Sequence, residues 1–109
     1  SPGLSMRLKA MHQFTGRLPV VAFENQVPSI LGKNTIDSML AGAIGGCIRE
    51  IDGLISEYCS HMGPIDVILT GGDAQYLVSQ LKSPIFADSM LTLKGINEIY
   101  LHNRSEKNT

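Results

Sequence analysis

The longest regular pattern in this sequence covers residues 35–61, and it constrains the fold more than any other feature. Apolar residues recur there at steps of three and four: Ile36, Met39, Leu40, Ala43, Ile44, Cys47, Ile48, Ile51, Leu54, Ile55 and Tyr58. This spacing is typical of a helix with an apolar side, so it predicts one long amphipathic helix.

Four glycines interrupt this helix: Gly42, Gly45, Gly46 and Gly53. Each costs up to about 1 kcal/mol relative to alanine in a helix interior. We expect another backbone to pack closely on the face that carries Gly42 and Gly46. The alternatives are a kink at Gly45 and Gly46 or simple tolerance of the glycines. Because one small domain cannot easily cover both helix faces, we expect the second face to pack on a partner chain across a two-fold axis.

The helix is preceded by GKNT, residues 32–35, which looks at first like the end of a phosphate-binding P-loop. That motif needs an earlier glycine where Val27 stands, and it needs Ser or Thr directly after the lysine, where Asn34 stands. The spacing therefore excludes a P-loop. Asn34 or Thr35 can instead cap the first turn of the helix, and Asp37 suits the positive end of the helix dipole.

The other segments predict an α/β chain with an incomplete sheet. Helices are expected at residues 3–15, 73–82 and 92–101, an extended stretch at 20–23, a loop at 24–32, a buried strand at 65–70, a short second strand at 84–87, and a frayed tail at 102–109. A buried strand needs neighbours on both sides. The chain can hardly supply them, so the missing sheet is expected to lie in sequence absent here.

Composition excludes several classes of protein. The chain has 109 residues with 43% hydrophobic and 17% charged residues, which is typical of one small globular domain. Its net charge is -1 with scattered basic residues, which argues against a nucleic-acid surface. No apolar run approaches the roughly 20 residues that span a membrane, and no signal-peptide pattern is present. The chain starts without Met, so we expect it to be a piece of a longer protein.

The cysteines and histidines show no metal-ligand spacing. On one helix, Cys47 and Cys59 would lie about 18 Å apart, too far for a disulfide, so reduced thiols and a cytoplasmic location are expected. His12 lies on a helix beside apolar neighbours, where a structural role and a ligand-binding role are both open.

A second candidate site is Thr-Gly-Gly at residues 70–72, between the predicted strand and a helix. Ligands gather at the carboxyl ends of strands in open α/β sheets, and Gly71 and Gly72 would let a ligand approach the backbone. A simple turn is the alternative. Asp73 counts against tight contact with phosphate and could serve only as a helix cap.

Five elements in this order resemble the C-terminal half of a type III pantothenate kinase. They are Pro-Gly-Leu at 2–4, Thr-x-x-Leu-Pro at 15–19, Gly-x-Asn-Thr at 32–35, Thr-Gly-Gly at 70–72 and Leu-Thr-Leu-x-Gly at 91–95. Each is weak alone, but the set is specific and covers nearly the whole chain. The resemblance implies that residues 1–109 are the C-terminal ribonuclease-H-like half of a kinase of the acetate kinase, sugar kinase, Hsp70 and actin superfamily.

The resemblance also implies a function. Such kinases phosphorylate pantothenate with ATP, the first step of coenzyme A synthesis. They act as homodimers that use magnesium with ATP and a monovalent cation, potassium or ammonium. Thr35 is implied to contact pantothenate. His12 is the candidate residue to approach the pantothenate site of the other subunit, and Gly71 and Gly72 are the candidate contacts for ATP.

The departures from the family are large. The Asp-x-Gly-x-Thr phosphate loop and the second phosphate motif are absent, and so is the Gly-x-Asp-Arg segment that carries the family's catalytic base and a pantothenate-binding Arg. The chain therefore holds no catalytic residue, and alone it is expected to be inactive. Two alternatives are a non-catalytic dimerisation or binding module and a metabolite-sensing regulator of the same fold.

Overall fold

The computed structural model describes residues 1–83, 85–87 and 91–107. Helices dominate, and the sheet is small. The elements are α1 (Leu4–Gln13), α2 (Thr35–Leu40), a π-helical turn (Ala41–Gly45), α3 (Gly46–Met62), β1 (Ile68–Leu69), α4 (Ala74–Gln80), β2 (Phe86–Ala87) and α5 (Leu91–Lys107). The predicted helices at 3–15, 35–61 and 73–82 are confirmed with small shifts of their ends. The expected extended stretch at 20–23 forms no strand.

The long amphipathic helix is continuous from α2 to α3, but its glycine cluster forms a π-helical turn. In this wider turn the Gly46 N–H reaches back to the Ala41 carbonyl, five residues earlier. A side chain at Gly42 would meet only the end of Met11, at 3.7 Å, and one at Gly46 would meet nothing within 4 Å among the described residues. The expectation that another backbone packs closely on this face is therefore wrong among the described residues. The glycines instead accompany an irregularity of the kind that bends helices.

Helix α1 packs along the long helix through two small clusters of buried side chains. Leu4 joins Ile44, Cys47 and Leu77 of α4 in one cluster, and Leu8 joins Met39 and Ala43 in the other. Leu4 and Leu8 are four residues apart, so both project from the same face of α1, as the spacing predicts. Phe14, which the pattern would add to this face, lies beyond the helix and is exposed.

The loop before α2 is held by Tyr76 on α4. The Tyr76 hydroxyl donates a hydrogen bond to the Gln26 carbonyl at 2.8 Å, and the ring packs edge-on against Phe23 with centroids 4.9 Å apart. Burial raises the pKa of Tyr76, so its hydroxyl keeps its proton for this bond. Phe23 therefore serves as an anchor of the loop, which explains why an apolar stretch at 20–23 does not need to pair as a strand.

The sheet consists of two parallel strands of two residues each, with Ile68 opposite Phe86 and Leu69 opposite Ala87. The expected strand at 84–87 is confirmed at its end, and Pro84 lies outside the described residues. The expected strand at 65–70 is confirmed only at Ile68–Leu69, and it is not buried among the described residues. Side chains alternate between half-buried and exposed along it, and Ile68 is 56% exposed. The incomplete sheet that the sequence predicts is what the described residues form.

Helix α5 is longer than predicted. It continues through residues 102–107, which were expected to be frayed, because no Gly or Pro interrupts HNRSEK. Residues 95–104 are all exposed. The radius of gyration is 18.0 Å, against about 13 Å for a compact domain of this length, so the chain is elongated. None of the helices in the described part is long and apolar enough to cross a membrane.

Candidate functional site

The start of α2 separates the roles of Asn34 and Thr35. The Asp37 N–H donates to the Asn34 side-chain oxygen at 2.8 Å, and the Asn34 amide donates to the Asp37 carboxylate at 3.2 Å. Asn34 is therefore the helix cap. The Thr35 side chain is exposed and makes no hydrogen bond to the described residues. Of the two residues that could cap the helix, Asn34 does so, and the Thr35 hydroxyl is left for another partner.

The glycine of the same motif is required by a close approach of two backbone segments. A Cβ atom at Gly32 would lie 2.7 Å from the Ser38 Cα and would also clash with the Ser38 hydroxyl. The chain before the cap thus turns back across the first turn of α2, and only a residue without a side chain fits there. This contact shapes the motif that the sequence shows as Gly-x-Asn-Thr.

Thr35 lies in an open cleft of about 550 Å³, which we call the Thr35 cleft. Part of its lining is apolar and comes from Met11 of α1, Leu18 and Met39. The rest comes from Gly32, Lys33, Asn34, Thr35 and Ser38 and is mostly polar. A cleft that offers a free hydroxyl together with apolar side chains suits a small ligand that is polar at its ends and apolar between them.

His12 supports this cleft without lining it. Its Nδ1 lies 2.7 Å from the Leu18 carbonyl oxygen, so Nδ1 carries the proton and donates this bond. The Thr15 hydroxyl also donates, to the Met11 carbonyl at 2.5 Å. Together these bonds fold residues 15–18 back against the end of α1 and bring Leu18 into the cleft wall. Within its own chain, His12 therefore positions the cleft, and a contact with the other subunit's substrate stays a prediction.

The Thr-Gly-Gly loop lines a second cleft of about 370 Å³, which we call the Gly71 cleft. Gly71 has φ +108°, a conformation that side chains rarely adopt, and a side chain at Gly72 would meet nothing within 4 Å among the described residues. The opposite wall is formed by Ser1, Pro2, Gly3 and Leu4. The structure thus brings the Pro-Gly-Leu and Thr-Gly-Gly elements to one place.

Asp73 joins these two elements. Its carboxylate accepts a hydrogen bond from the Leu4 N–H at 3.0 Å, so it caps α1, 69 residues away in sequence. It makes no side-chain hydrogen bond at the start of its own helix α4. The sequence predicted that Asp73 caps a helix. It does so, but it caps α1 and not its own helix α4. A carboxylate at the positive end of α1 is also favoured by the helix dipole.

We expect Asp73→Ala to destabilise the protein by about 1 kcal/mol, because the Leu4 N–H at the start of α1 loses its acceptor. Urea denaturation of the natural protein that carries this sequence measures the change. Asp73→Asn is the matched control, since its side-chain oxygen can still accept from the Leu4 N–H and should retain most of the stability. Equal losses in the two variants would contradict the capping role.

Arg7 holds the N-terminal residues Ser1 and Pro2 in place beside the Gly71 cleft. Its guanidinium lies 3.2 Å from the Glu50 carboxylate and also donates to the Ser1 hydroxyl at 2.8 Å and the Pro2 carbonyl at 3.0 Å. The hydrogen bond from Arg7 lowers the pKa of Glu50, so the pair persists at neutral pH. Cys47 also lines this cleft, and burial raises the pKa of its thiol. Both Cys47 and Cys59 are free.

The two clefts share helix α1. Leu4 lines the Gly71 cleft and Met11 lines the Thr35 cleft, seven residues further along, which corresponds to about 10 Å of helix. The sequence predicted Thr35, Gly71 and Gly72 as site residues. It did not predict that Asp73 joins the Thr-Gly-Gly loop to α1, or that Lys33 lines the Thr35 cleft. The described residues contain no group of three or more His, Cys, Asp or Glu side chains that could hold a metal ion.

Comparison with known proteins identifies the family of this chain. A family model described as type III pantothenate kinase matches residues 1–57. Proteins of that name are 48% identical over 103 residues in Bacteroides fragilis, 42% over 106 residues in Christiangramia forsetii and 40% over 100 residues in Flavobacterium johnsoniae.

These alignments cover 94%, 97% and 92% of this chain, but only 42%, 43% and 41% of the three relatives. The chain thus spans about two fifths of the length of the curated relatives it matches. The matched family residues include α1, the Asn34 cap, Thr35 and the π-helical turn. The chain belongs to the type III pantothenate kinase family.

Proposed function

We propose that this chain is the C-terminal part of a kinase that transfers a phosphoryl group from ATP to pantothenate, giving 4'-phosphopantothenate in the first step of coenzyme A synthesis. The relatives' shared name supports this activity. The observation that carries it is the free Thr35 hydroxyl in a cleft of about 550 Å³, beside a neighbouring residue that already caps the helix.

Pantothenate suits the Thr35 cleft chemically. It has hydroxyl groups at one end, a carboxylate at the other, and two methyl groups and an amide between them. The Thr35 hydroxyl can bond one of the polar groups, and the wall of Met11, Leu18 and Met39 can cover the methyl groups. In this proposal Thr35 binds and orients pantothenate, and His12 holds Leu18 in the wall.

ATP is proposed for the Gly71 cleft. The open space beside Gly72 and the positive φ of Gly71 let a nucleotide approach the backbone there. Asp73 also lines this cleft, and its carboxylate accepts a hydrogen bond from the Leu4 N–H there. The described residues offer no carboxylate cluster for magnesium, so we assign no residue of this chain to magnesium or to a monovalent cation. When bound with ATP, magnesium neutralises phosphate charge.

The remaining parts of the proposal concern assembly and location. We propose an actin-like ATPase fold for the whole kinase, with this chain as its ribonuclease-H-like C-terminal half, and a cytoplasmic homodimer. The open space beside Gly46 leaves that helix face available for a partner chain. The phosphate loop and catalytic base would come from residues outside this chain, so we propose that the chain alone turns over no ATP.

Thr35→Val tests the proposed pantothenate site. Loss of one neutral hydrogen bond costs about 0.5–1.5 kcal/mol, so the KM for pantothenate should rise about 2–12-fold in the natural kinase that carries this sequence. The KM for ATP should be nearly unchanged. Steady-state kinetics with each substrate varied in turn measures both constants.

Thr35→Ser is the matched control, because it keeps the hydroxyl and should be nearly neutral. A tenfold rise in the KM for ATP with pantothenate use unaffected would show that Thr35 serves the nucleotide and would contradict the assignment.

A further inference from the structure

The Thr35 cleft has a charge that the family motif does not specify. Of the eight described residues that line it, Lys33 alone is ionisable, and it occupies the variable position of Gly-x-Asn-Thr. The other polar groups are neutral amides and hydroxyls. The lining therefore carries a formal charge of +1, which attracts an anion.

The Lys33 ammonium group has no partner in the part of the chain that the structure describes. It makes no hydrogen bond or ion pair there, and the residue is exposed. The nearest acidic residue along the chain, Asp37, is already held by the Asn34 amide at 3.2 Å. An unpaired ammonium on a flexible four-carbon stem can turn over the cleft and meet a ligand.

Lys33 is also held at a defined place despite its exposure. Gly32 on one side is packed against the Ser38 Cα, and Asn34 on the other side is bound to Asp37. The lysine backbone is thus fixed between two anchored neighbours, two residues before the Thr35 hydroxyl. Lys33 and Thr35 line the same cleft from this short segment, so one ligand there could contact both side chains.

We propose that Lys33 binds the carboxylate of pantothenate and so determines the preference of this kinase for an anionic acceptor. The inference rests on the proposed function, since it names a second contact in the same cleft. The carboxylate and the hydroxyl groups are at opposite ends of pantothenate, so an ammonium contact at one end fixes which hydroxyl is presented for phosphorylation. The bond is charge-assisted and stronger than a neutral one.

The test compares Lys33→Met with the wild type, using the natural kinase that carries this sequence. The two acceptors are pantothenate and pantothenol, in which a neutral hydroxymethyl group replaces the carboxylate. We expect the KM for pantothenate to rise about tenfold, with the KM for pantothenol changed less than twofold. Rising salt should weaken the wild-type preference for pantothenate, because salt screens an exposed charge pair.

Two variants serve as controls. Lys9→Met removes the same charge from an exposed position on α1 that does not line the cleft, and it should leave both constants unchanged. Lys33→Arg keeps the charge and should keep most of the preference for pantothenate.

Each result that would contradict the inference has a different explanation. Equal rises in KM for both acceptors would overturn the inference, because they indicate a change of cleft shape. A rise only in the KM for ATP would overturn it in favour of a phosphate contact. If the wild type phosphorylates pantothenate and Lys33→Met leaves its KM unchanged, this inference is overturned and the proposed function stands. A wild type that phosphorylates neither acceptor would overturn the proposed function as well.

Discussion

Gly32→Ala is expected to raise the KM for pantothenate by about tenfold or more in the natural kinase, with a much smaller effect on the KM for ATP. The added methyl group would lie 2.7 Å from the Ser38 Cα, and a backbone atom cannot rotate away as a side chain can. The neighbouring Met39 is buried in the core cluster with Leu8, which resists movement of α2. The segment with Lys33 and Asn34 must therefore move, and it carries one wall of the Thr35 cleft.

Gly53→Ala is the matched control for this substitution. Gly53 lies in α3, and a side chain there would meet nothing within 4 Å among the described residues. It should leave both constants unchanged and stabilise the helix by up to about 1 kcal/mol. Steady-state kinetics of the Gly32→Ala and Gly53→Ala enzymes, with each substrate varied in turn, measures both KM values. A Gly32→Ala enzyme with wild-type use of pantothenate would show that this segment does not shape the substrate site.

Ile44→Ala is expected to give the largest loss of stability, about 2–5 kcal/mol. Ile44 is 0% exposed and packs in the cluster with Leu4, Cys47 and Leu77, so it links the π-helical turn to α1 and α4. Truncation to alanine removes buried apolar surface and leaves a cavity where three elements meet. The midpoint of urea denaturation of the natural protein measures the loss, with an unchanged slope as the sign of an intact fold.

Ile36→Ala provides the matched control, since it makes the same chemical change on the same helix at a side chain that is 49% exposed. Its loss should be under about 1 kcal/mol, because the position leaves less surface to lose and no enclosed cavity. Similar losses at Ile36 and Ile44 would contradict the assignment of Ile44 to the core.

Several features of this protein follow from local chemistry, and the sequence alone determines them. The step of three and four along residues 35–61 predicts the long helix because a helix repeats its faces over that distance. A cap at Asn34 or Thr35 is equally local, and the structure shows that Asn34 bonds the N–H of Asp37 only three residues later. The residues of Gly-x-Asn-Thr and Thr-Gly-Gly also mark the two clefts, because both motifs are contiguous in the chain.

The tertiary structure decided what depends on residues far apart in sequence. Asp73 meets the Leu4 N–H across 69 residues, and Tyr76 meets the Gln26 carbonyl across 50. No periodicity in a short window contains such pairs. The close approach of Gly32 to Ser38 depends on how the loop returns over α2, and the loop in turn is held by Tyr76. Because Asn34 caps the helix and also bonds Asp37, Thr35 and Lys33 are left without partners among the described residues at one cleft. Only the folded chain shows which side chains remain free to bind a ligand.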